Sequence, residues 1–197
     1  MTGYGAGKPK VRALSLGVLL TLSMALGACG AEPVADAGAG VVDGNGSAPE
    51  FPTSGQVFTA SELVSTDCNW DGMQITGIRV GRHEGFDRVV FDLDGDALPC
   101  YRVGFDADPA QDGSGLPVDL GNFGALRVEI PQLGPEFPEL DSGFTVDLDG
   151  PAVAFGRFDT FFEGTVTAFI ATVDTIAPEF AVSTYPGRLV VDVKSIG

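Results

Sequence analysis

Apolar and polar residues alternate with a period of two along most of the chain, from about residue 73 to residue 193. Such alternation buries one face of a β-strand and leaves the other face to water. Turn segments rich in Gly, Asp and Pro separate the alternating runs. The runs that we assign to strands are centred on Ile78, Phe91, Val103, Val118, Val128, Ala168, Phe180 and Val191. About eight short, mostly antiparallel strands predict an all-β fold in which two sheets pack as a β-sandwich.

The beginning of the chain has the composition of an export signal. Residues 1–12 carry three basic and no acidic residues, and an apolar run follows over residues 13–26. This run is short for a membrane span but matches the apolar core of a signal peptide, which we place at residues 1–28. Two small residues followed by Cys29 resemble the bacterial lipobox, and this resemblance implies that Cys29 carries a lipid. The alternative is an ordinary cleaved signal with an incidental cysteine.

Residues 29–58 are rich in Gly, Ala, Pro and Ser and show no apolar periodicity. Such a segment cannot bury enough surface to offset the entropy of ordering, so we expect a disordered tether. The folded domain is then expected over residues 59–197. A lipid on Cys29 predicts that this domain is held at the extracytoplasmic face of the cell membrane.

The formal net charge of the chain is -16 at pH 7. A field of this sign repels phosphate backbones, so the sequence argues against nucleic acid as a partner. It also repels anionic lipid headgroups, so we do not expect the body of the domain to lie on the membrane.

Two further cysteines, Cys68 and Cys100, belong to the expected domain, and an exported chain meets oxidising conditions. Cys68 precedes the strand around Ile78, and Cys100 begins the strand around Val103. In an antiparallel meander the first and third strands run the same way, which places both cysteines at one end of a sheet. We therefore predict a disulfide that closes a loop of about 33 residues and contributes roughly 3–4 kcal/mol. Two separate thiols are the alternative.

Residues 78–93 read IRVGRHEGFDRVVFDL, a hairpin pattern with characteristic Arg, Gly, Phe and Asp positions. This segment resembles the start of the AMIN-like domain of actinobacterial lipoproteins, and residues 162–164 and 186–193 look like its other recurring blocks. The resemblance covers roughly residues 72–195. It implies an AMIN-like β-sandwich, related to the non-catalytic AMIN domains of cell-wall amidases and secretins, which are associated with envelope targeting and peptidoglycan binding.

Five arginines of the expected domain are candidate ligand-binding residues: Arg79, Arg82, Arg88, Arg102 and Arg127. Most of them alternate with core positions, so they are expected on the polar faces of their strands. If consecutive strands pair as neighbours, these arginines form a cationic stripe that could bind the carboxylates of wall peptides or anionic wall polymers. The alternative, which we favour, is ion pairing across strands with Asp92, Asp106 and Glu129.

Other polar motifs give little support for metal binding or catalysis. His83 is the only histidine, and we interpret it as an exposed turn residue because no second histidine exists to share a metal. The carboxylates of Asp92, Asp94 and Asp96 alternate as in a calcium loop, but the glycine and distal glutamate of an EF-hand are missing, which favours a polar turn. No Gly-x-Ser-x-Gly motif occurs. We therefore expect neither a cofactor nor an enzyme.

The sequence thus predicts a non-catalytic envelope lipoprotein whose β-domain binds peptidoglycan or another wall component. Two alternatives stay open. One is a structural or protein-interaction lipoprotein that docks a membrane or envelope partner through a sheet edge or an apolar patch. The other is a small wall hydrolase that uses a pair of carboxylates.

Overall fold

The computed structural model describes residues 56–65, 67–69, 72–131 and 140–196. The predicted signal peptide, Cys29 and most of the predicted tether lie outside these described residues. In the described part of the chain, no helix has the length and apolar character that crossing a membrane requires. Ten strands are present in that part: β1 (Leu63–Ser65), β2 (Ile75–His83), β3 (Phe86–Leu93), β4 (Tyr101–Phe105), β5 (Gly124–Ile130), β6 (Thr145–Asp147), β7 (Val153–Phe162), β8 (Thr165–Thr172), β9 (Phe180–Tyr185) and β10 (Arg188–Lys194).

The strands form two antiparallel sheets. One sheet has six strands in the order β1-β4-β5-β8-β7-β6, and the other has four in the order β2-β3-β10-β9. Alternate residues of both sheets, among them Phe91, Leu126, Ile170 and Leu189, form one fully buried apolar cluster. This arrangement confirms the all-β sandwich, with ten strands among the described residues where the sequence predicts about eight.

A second, smaller apolar cluster lies on the outer face of the six-stranded sheet. The connection between β4 and β5 crosses this face, and its Val118 and Leu120 pack against Ala125 and Phe169. The predicted strand around Val118 is therefore wrong, because these two residues are apolar in order to cover the sheet and not to extend it.

Strand β7 is absent from the prediction although it is the longest strand described. Its pairing with β8 shifts between Val153 and Phe155 and again between Phe158 and Thr160. Each shift inserts a residue and moves the following side chains to the other face. The period-two pattern on which the prediction depends is therefore broken twice within ten residues.

The disulfide between Cys68 and Cys100 is confirmed, with Cα atoms 5.2 Å apart. The cysteines do not meet because two parallel-running strands of one sheet end together, as the sequence suggests, since β2 and β4 belong to different sheets. Strand β1 runs antiparallel to β4 with Ser65 opposite Tyr101, so the end of β1 meets the start of β4. The two cysteines lie just beyond these paired residues.

Contacts with the domain begin slightly before the predicted boundary at residue 59. The Nε2 atom of Gln56 donates a hydrogen bond to Asp192 on β10. Thr59 and Phe180 exchange two backbone hydrogen bonds of 2.9 and 2.8 Å, which join the entering chain to the start of β9. The segment ahead of β1 is therefore fixed to the four-stranded sheet before the chain crosses to the six-stranded one.

Candidate binding groove

A groove opens on the outer face of the six-stranded sheet, where β1, β4 and β5 lie side by side. Its wider part has a volume of about 420 Å³ and its narrower part about 100 Å³. Arg102 and Glu129 line both parts, so the two parts adjoin each other. The wider part extends past Tyr101 and Thr165 to the disulfide. We call the two parts together the groove.

Strand alternation places the charged residues of the groove. Val103 and Val128 point into the buried core, so the residues next to them in sequence point outward. On β4 and β5 these outward pairs are Arg102 opposite Glu129, while Arg127 lies opposite Gly104. A row of alternating charge thus crosses the floor of the groove.

Gly104 allows one wall of the groove to close on the floor. A Cβ atom at this position would lie 3.2 Å from Cγ and 3.3 Å from Cβ of Glu62. The Glu62 side chain therefore lies directly over the glycine, just ahead of β1. This contact brings a carboxylate from the edge of the sheet into the narrower part of the groove.

Arg127 is held by a dense set of partners. Its Nε donates to Glu129 at 2.8 Å, its Nη2 to Asp112 at 2.5 Å and its Nη1 to the carbonyl of Ala110 at 3.2 Å. Burial lowers the pKa of Arg127, but the bonds to Glu129 and Asp112 outweigh burial and raise the pKa above its ordinary value. Arg127 therefore fastens the β4–β5 connection to the sheet, and its charge is already neutralised by nearby acids.

Arg102 is much more open. More than half of its side chain (57%) is exposed, and its Nε lies 3.6 Å from Oε2 of Glu129. This distance is longer than a good hydrogen bond, so the guanidinium keeps donors for an incoming acceptor. A carboxylate is one of the groups that such a fork binds well.

Tyr101 precedes Arg102 on β4 and lines the wider part of the groove. Burial raises the pKa of its phenol above the ordinary value. Because Val103 points into the core, alternation turns Tyr101 toward the same side of the sheet, and Tyr101 packs partly against the core. Arg102 is therefore the residue of the groove that suits the recognition of an acidic ligand through hydrogen bonds.

The structure divides the five candidate arginines between the two sheets, so they do not form the single cationic stripe that the sequence left open beside the favoured ion pairing. Arg102 and Arg127 line the groove on the six-stranded sheet, whereas Arg79, Arg82 and Arg88 belong to the four-stranded sheet. The stripe requires neighbouring strands to be consecutive in the chain, but the chain changes sheets between β3 and β4. The two groups therefore cannot act on one ligand surface.

Each arginine of the four-stranded sheet is engaged in local bonds. Arg79 makes a bidentate ion pair with Asp92, as the pairing alternative predicts. Arg82 donates to the backbone carbonyls that follow β6, at Leu148 (2.9 Å) and Asp149. Arg102 and Arg127 also lie near the acids expected for them, Glu129 for both and Asp106 for Arg127.

Arg88 corrects the expectation that these arginines face solvent. Only 1% of its side chain is exposed, and it makes a bidentate ion pair with Asp192, whose side chain is fully buried. Val90 and Val190 on neighbouring outward positions are buried as well. A residue in this setting is part of the interior, and we withdraw Arg88 from the candidate ligand contacts.

The other sequence motifs are placed within the four-stranded sheet. His83 ends β2, and its ring stacks on Phe86 with centroids 4.8 Å apart, so it is partly buried where the sequence predicts an exposed turn residue. Asp92 pairs with Arg79, and Asp94 accepts a hydrogen bond from the backbone of Gln74. Within the described ranges, no group of three or more His, Cys, Asp or Glu residues is placed to hold a metal ion.

Among the residues of the groove that sequence reasoning does not single out are Glu62, Tyr101 and Thr165. The alternation assigns Tyr101 to the core, and it does pack partly against the core while also reaching the groove. Strand β1 is only three residues long, which leaves no periodic signal around Glu62. Thr165 counts as a polar strand position, and only the order of strands in the sheet brings it near β4.

The family comparison agrees with the resemblance drawn from the sequence. A model of the AMIN-like domain matches residues 73–195, which is more than half of the chain. No curated protein and no solved structure matches the chain. The matched range contains β2 to β10, whereas β1 and Cys68 precede it. The chain belongs to the AMIN-like domain family.

Proposed function

We propose that this protein is a non-catalytic binding module of the cell envelope and that its groove holds peptidoglycan or a related wall component through an acidic group. Membership of the AMIN-like family supports a binding role. The observation that carries the assignment to the groove is the exposed guanidinium of Arg102, which lines both parts of the groove. Wall peptides carry carboxylates that can accept hydrogen bonds from Arg102.

The surrounding acids set the expected character of the binding. Glu62, Asp106 and Glu129 share the narrower part of the groove with the two arginines. A ligand carboxylate must therefore compete with Glu129 for Arg102 and is repelled by the neighbouring acids. We expect weak binding that depends on a bidentate contact with Arg102 and that improves when many groups on an insoluble wall bind at once.

Sedimentation of the chain with insoluble peptidoglycan tests this proposal. We expect retention of the wild type and a loss of about 10- to 100-fold in affinity for Arg102→Ala, the range for losing charge-assisted hydrogen bonds. Arg79→Ala is the matched control, because Arg79 is also a strand arginine that pairs with an acid on the neighbouring strand. Equal retention of both variants would remove the groove from the proposal, and no retention of the wild type would remove wall binding altogether.

We also propose that residues 1–28 are a signal peptide and that a lipid on Cys29 holds the protein at the extracytoplasmic face of the membrane. The basic start, the apolar run and the small residues before Cys29 support this proposal. Growth of cells with a fatty-acid probe should label the wild type but not Cys29→Ser. An unlabelled wild type would contradict the lipid anchor and leave the groove proposal untouched.

One observation favours an envelope protein as the alternative partner. Strand β1 lies at the edge of the six-stranded sheet, and 51% of Val64 is exposed there. An open edge with an exposed apolar side chain can pair with a strand of another protein. Photo-crosslinking from position 64 in cells distinguishes an envelope protein from a wall component as the partner. Capture of one protein without glycan would favour the protein partner.

A further inference from the structure

One wall of the groove is a short segment at the edge of the fold. Glu62 covers Gly104 in the narrower part, and Val64 and Ser65 line the wider part. Strand β1 pairs with β4 over only three residues, Leu63 to Ser65, and nothing pairs with its other side in the described sheet. A strand that is this short and that pairs with a neighbour on one side only contributes little stability by itself.

Two attachments hold this wall segment at its ends. At its beginning, Thr59 exchanges backbone hydrogen bonds with Phe180 of the opposite sheet. At its end, Cys68 is bonded to Cys100, which immediately precedes β4. Both cysteines themselves line the wider part of the groove. The disulfide is therefore the only covalent link between the wall and the floor among the described contacts, apart from the chain itself.

The wall segment is an addition to the part of the chain that the family model matches. That match begins at residue 73, so Glu62, β1 and Cys68 all precede it, while Cys100 lies within it. The sandwich core is built from β2 to β10 and buries its apolar cluster mostly without β1, of which only Leu63 packs against that cluster. The sandwich can therefore stay folded when the wall segment detaches from it.

We propose that the Cys68–Cys100 disulfide is a redox clamp on the groove. In the oxidised protein the bond holds β1 against β4 and completes the groove. In the reduced protein β1 separates from β4, the wall is lost and ligand is released. The effect on ligand rests on the proposed function, whereas the movement of β1 does not.

The reaction that opens the clamp is thiol–disulfide exchange with a dithiol reductant. A thiolate of the reductant attacks Sγ of Cys68, the more accessible sulfur, because Cys68 is partly buried whereas Cys100 is only 5% exposed. The Cys68–Cys100 bond breaks, and Cys100 leaves as a thiolate that takes up a proton. The second thiol of the reductant then attacks the mixed disulfide and releases Cys68. The protein gains two electrons and two protons, and the reductant becomes a disulfide.

The size of the effect follows from the length of chain that the bond closes. The two cysteines are 32 residues apart. For a loop of this length, the chain-entropy relation corresponds to a factor of about 500 in the folding equilibrium. Since the sandwich stays folded when the bond opens, the local effect on β1 is smaller, and we expect about tenfold or more in the opening of this strand.

Hydrogen exchange on the full chain tests the clamp without any ligand. Cys29→Ser should be the background throughout, so that the disulfide supplies the only two thiols of the chain. On reduction with dithiothreitol, we expect the amides of β1 and of β4 facing it to exchange about tenfold faster or more, with β10 unchanged. The double variant Cys68→Ser/Cys100→Ser should match the reduced form. Equal exchange in β1 before and after reduction, or faster exchange of β10 as well, would overturn the proposal.

Sedimentation of the same samples with insoluble peptidoglycan then tests whether the redox state switches ligand binding. The oxidised chain should be retained and the reduced chain at least about tenfold less, with recovery after reoxidation. Equal retention of both forms would overturn the switch. If neither form is retained while exchange of β1 responds to reduction as expected, the proposed ligand is wrong and the clamp is supported.

Discussion

Arg88 and Asp192 form a buried ion pair that links the two central strands of the four-stranded sheet. The Nε and Nη2 atoms of Arg88 donate to the two carboxylate oxygens of Asp192 at 2.6 and 2.7 Å. Arg88 also lies over the ring of Phe86, 5.4 Å from its centroid, and Gln56 donates to Asp192. Both carboxylate oxygens of Asp192 thus accept hydrogen bonds from Arg88, and a single substitution leaves one charge without its partner in the interior.

The expected cost of Arg88→Met follows from this burial. Loss of the guanidinium leaves a carboxylate that is 0% exposed, and removal of one partner of a buried pair typically costs about 3–5 kcal/mol. Replacement of both charges by apolar residues of similar size avoids the stranded charge, so Arg88→Met/Asp192→Leu should cost less than about 1 kcal/mol or stabilise the fold. The two single substitutions should therefore be far from additive.

Urea unfolding of the wild type, both single variants and the double variant gives the coupling energy from a double-mutant cycle. Arg79→Met is the control, because its ion pair with Asp92 is partly exposed (32% and 24%) and should contribute less than about 1 kcal/mol. The interpretation of Arg88 as an interior residue is refuted if Arg88→Met costs no more than Arg79→Met. It is also refuted if the double variant is as unstable as the sum of the two single variants.

Three further substitutions test individual features of the fold. Asp159→Asn should raise the urea midpoint at pH 7 and have little effect below about pH 3.5. Burial raises the pKa of Asp159, so its ionised form costs stability as the pH rises through that pKa. A lower midpoint at pH 7 would contradict this. Gly150→Ala should destabilise by about 2–3 kcal/mol, since a Cβ would overlap Oδ2 of Asp87, which accepts hydrogen bonds from the backbone amides of Ala152 and Val153. Wild-type stability would show that this carboxylate can move freely. Glu163→Asn should stabilise the fold by about 0.5–1 kcal/mol in thermal unfolding. The φ angle is +49° at this hairpin position, and asparagine tolerates the left-handed region of backbone conformation better than glutamate. A loss of stability would mean that the Glu163 side chain makes a contact that contributes more stability than the backbone strain removes.

Local pattern predicts the strands well where pairing is regular. The hairpin of β2 and β3 turns at Glu84 and Gly85 as the sequence indicates, and β9 and β10 turn at Pro186 and Gly187. The pattern fails at β7, where two inserted residues reverse the alternation, and around Val118, where apolar residues cover a sheet from outside. Alternation indicates which residues are buried. It does not indicate whether a buried residue belongs to a strand of the sheet or to a connection that covers the sheet.

The groove could not be predicted because it depends on strand order. Consecutive strands β3 and β4 look like neighbours in sequence, yet they lie in different sheets, and β1 pairs with β4 from beyond the recognisable pattern. A signal for the burial of Arg88 does exist in the sequence. Val90 and Val190 interrupt the polar positions of their strands, and consecutive apolar residues of this kind indicate a strand that is buried on both faces.

The disulfide also decides how mechanical load passes through this domain. A pull on the chain ahead of Gln56, opposed at the far end, first breaks the bond between Gln56 and Asp192 and the two hydrogen bonds between Thr59 and Phe180. It then separates β1 from β4 and reaches the cross-link. From Cys68 the tension continues through the sulfur atoms to Cys100, so the backbone of residues 69–99 is bypassed. The hairpin of β2 and β3 therefore carries none of the strain along its backbone, and the extension released before the sandwich ruptures is limited to the few residues ahead of the cross-link.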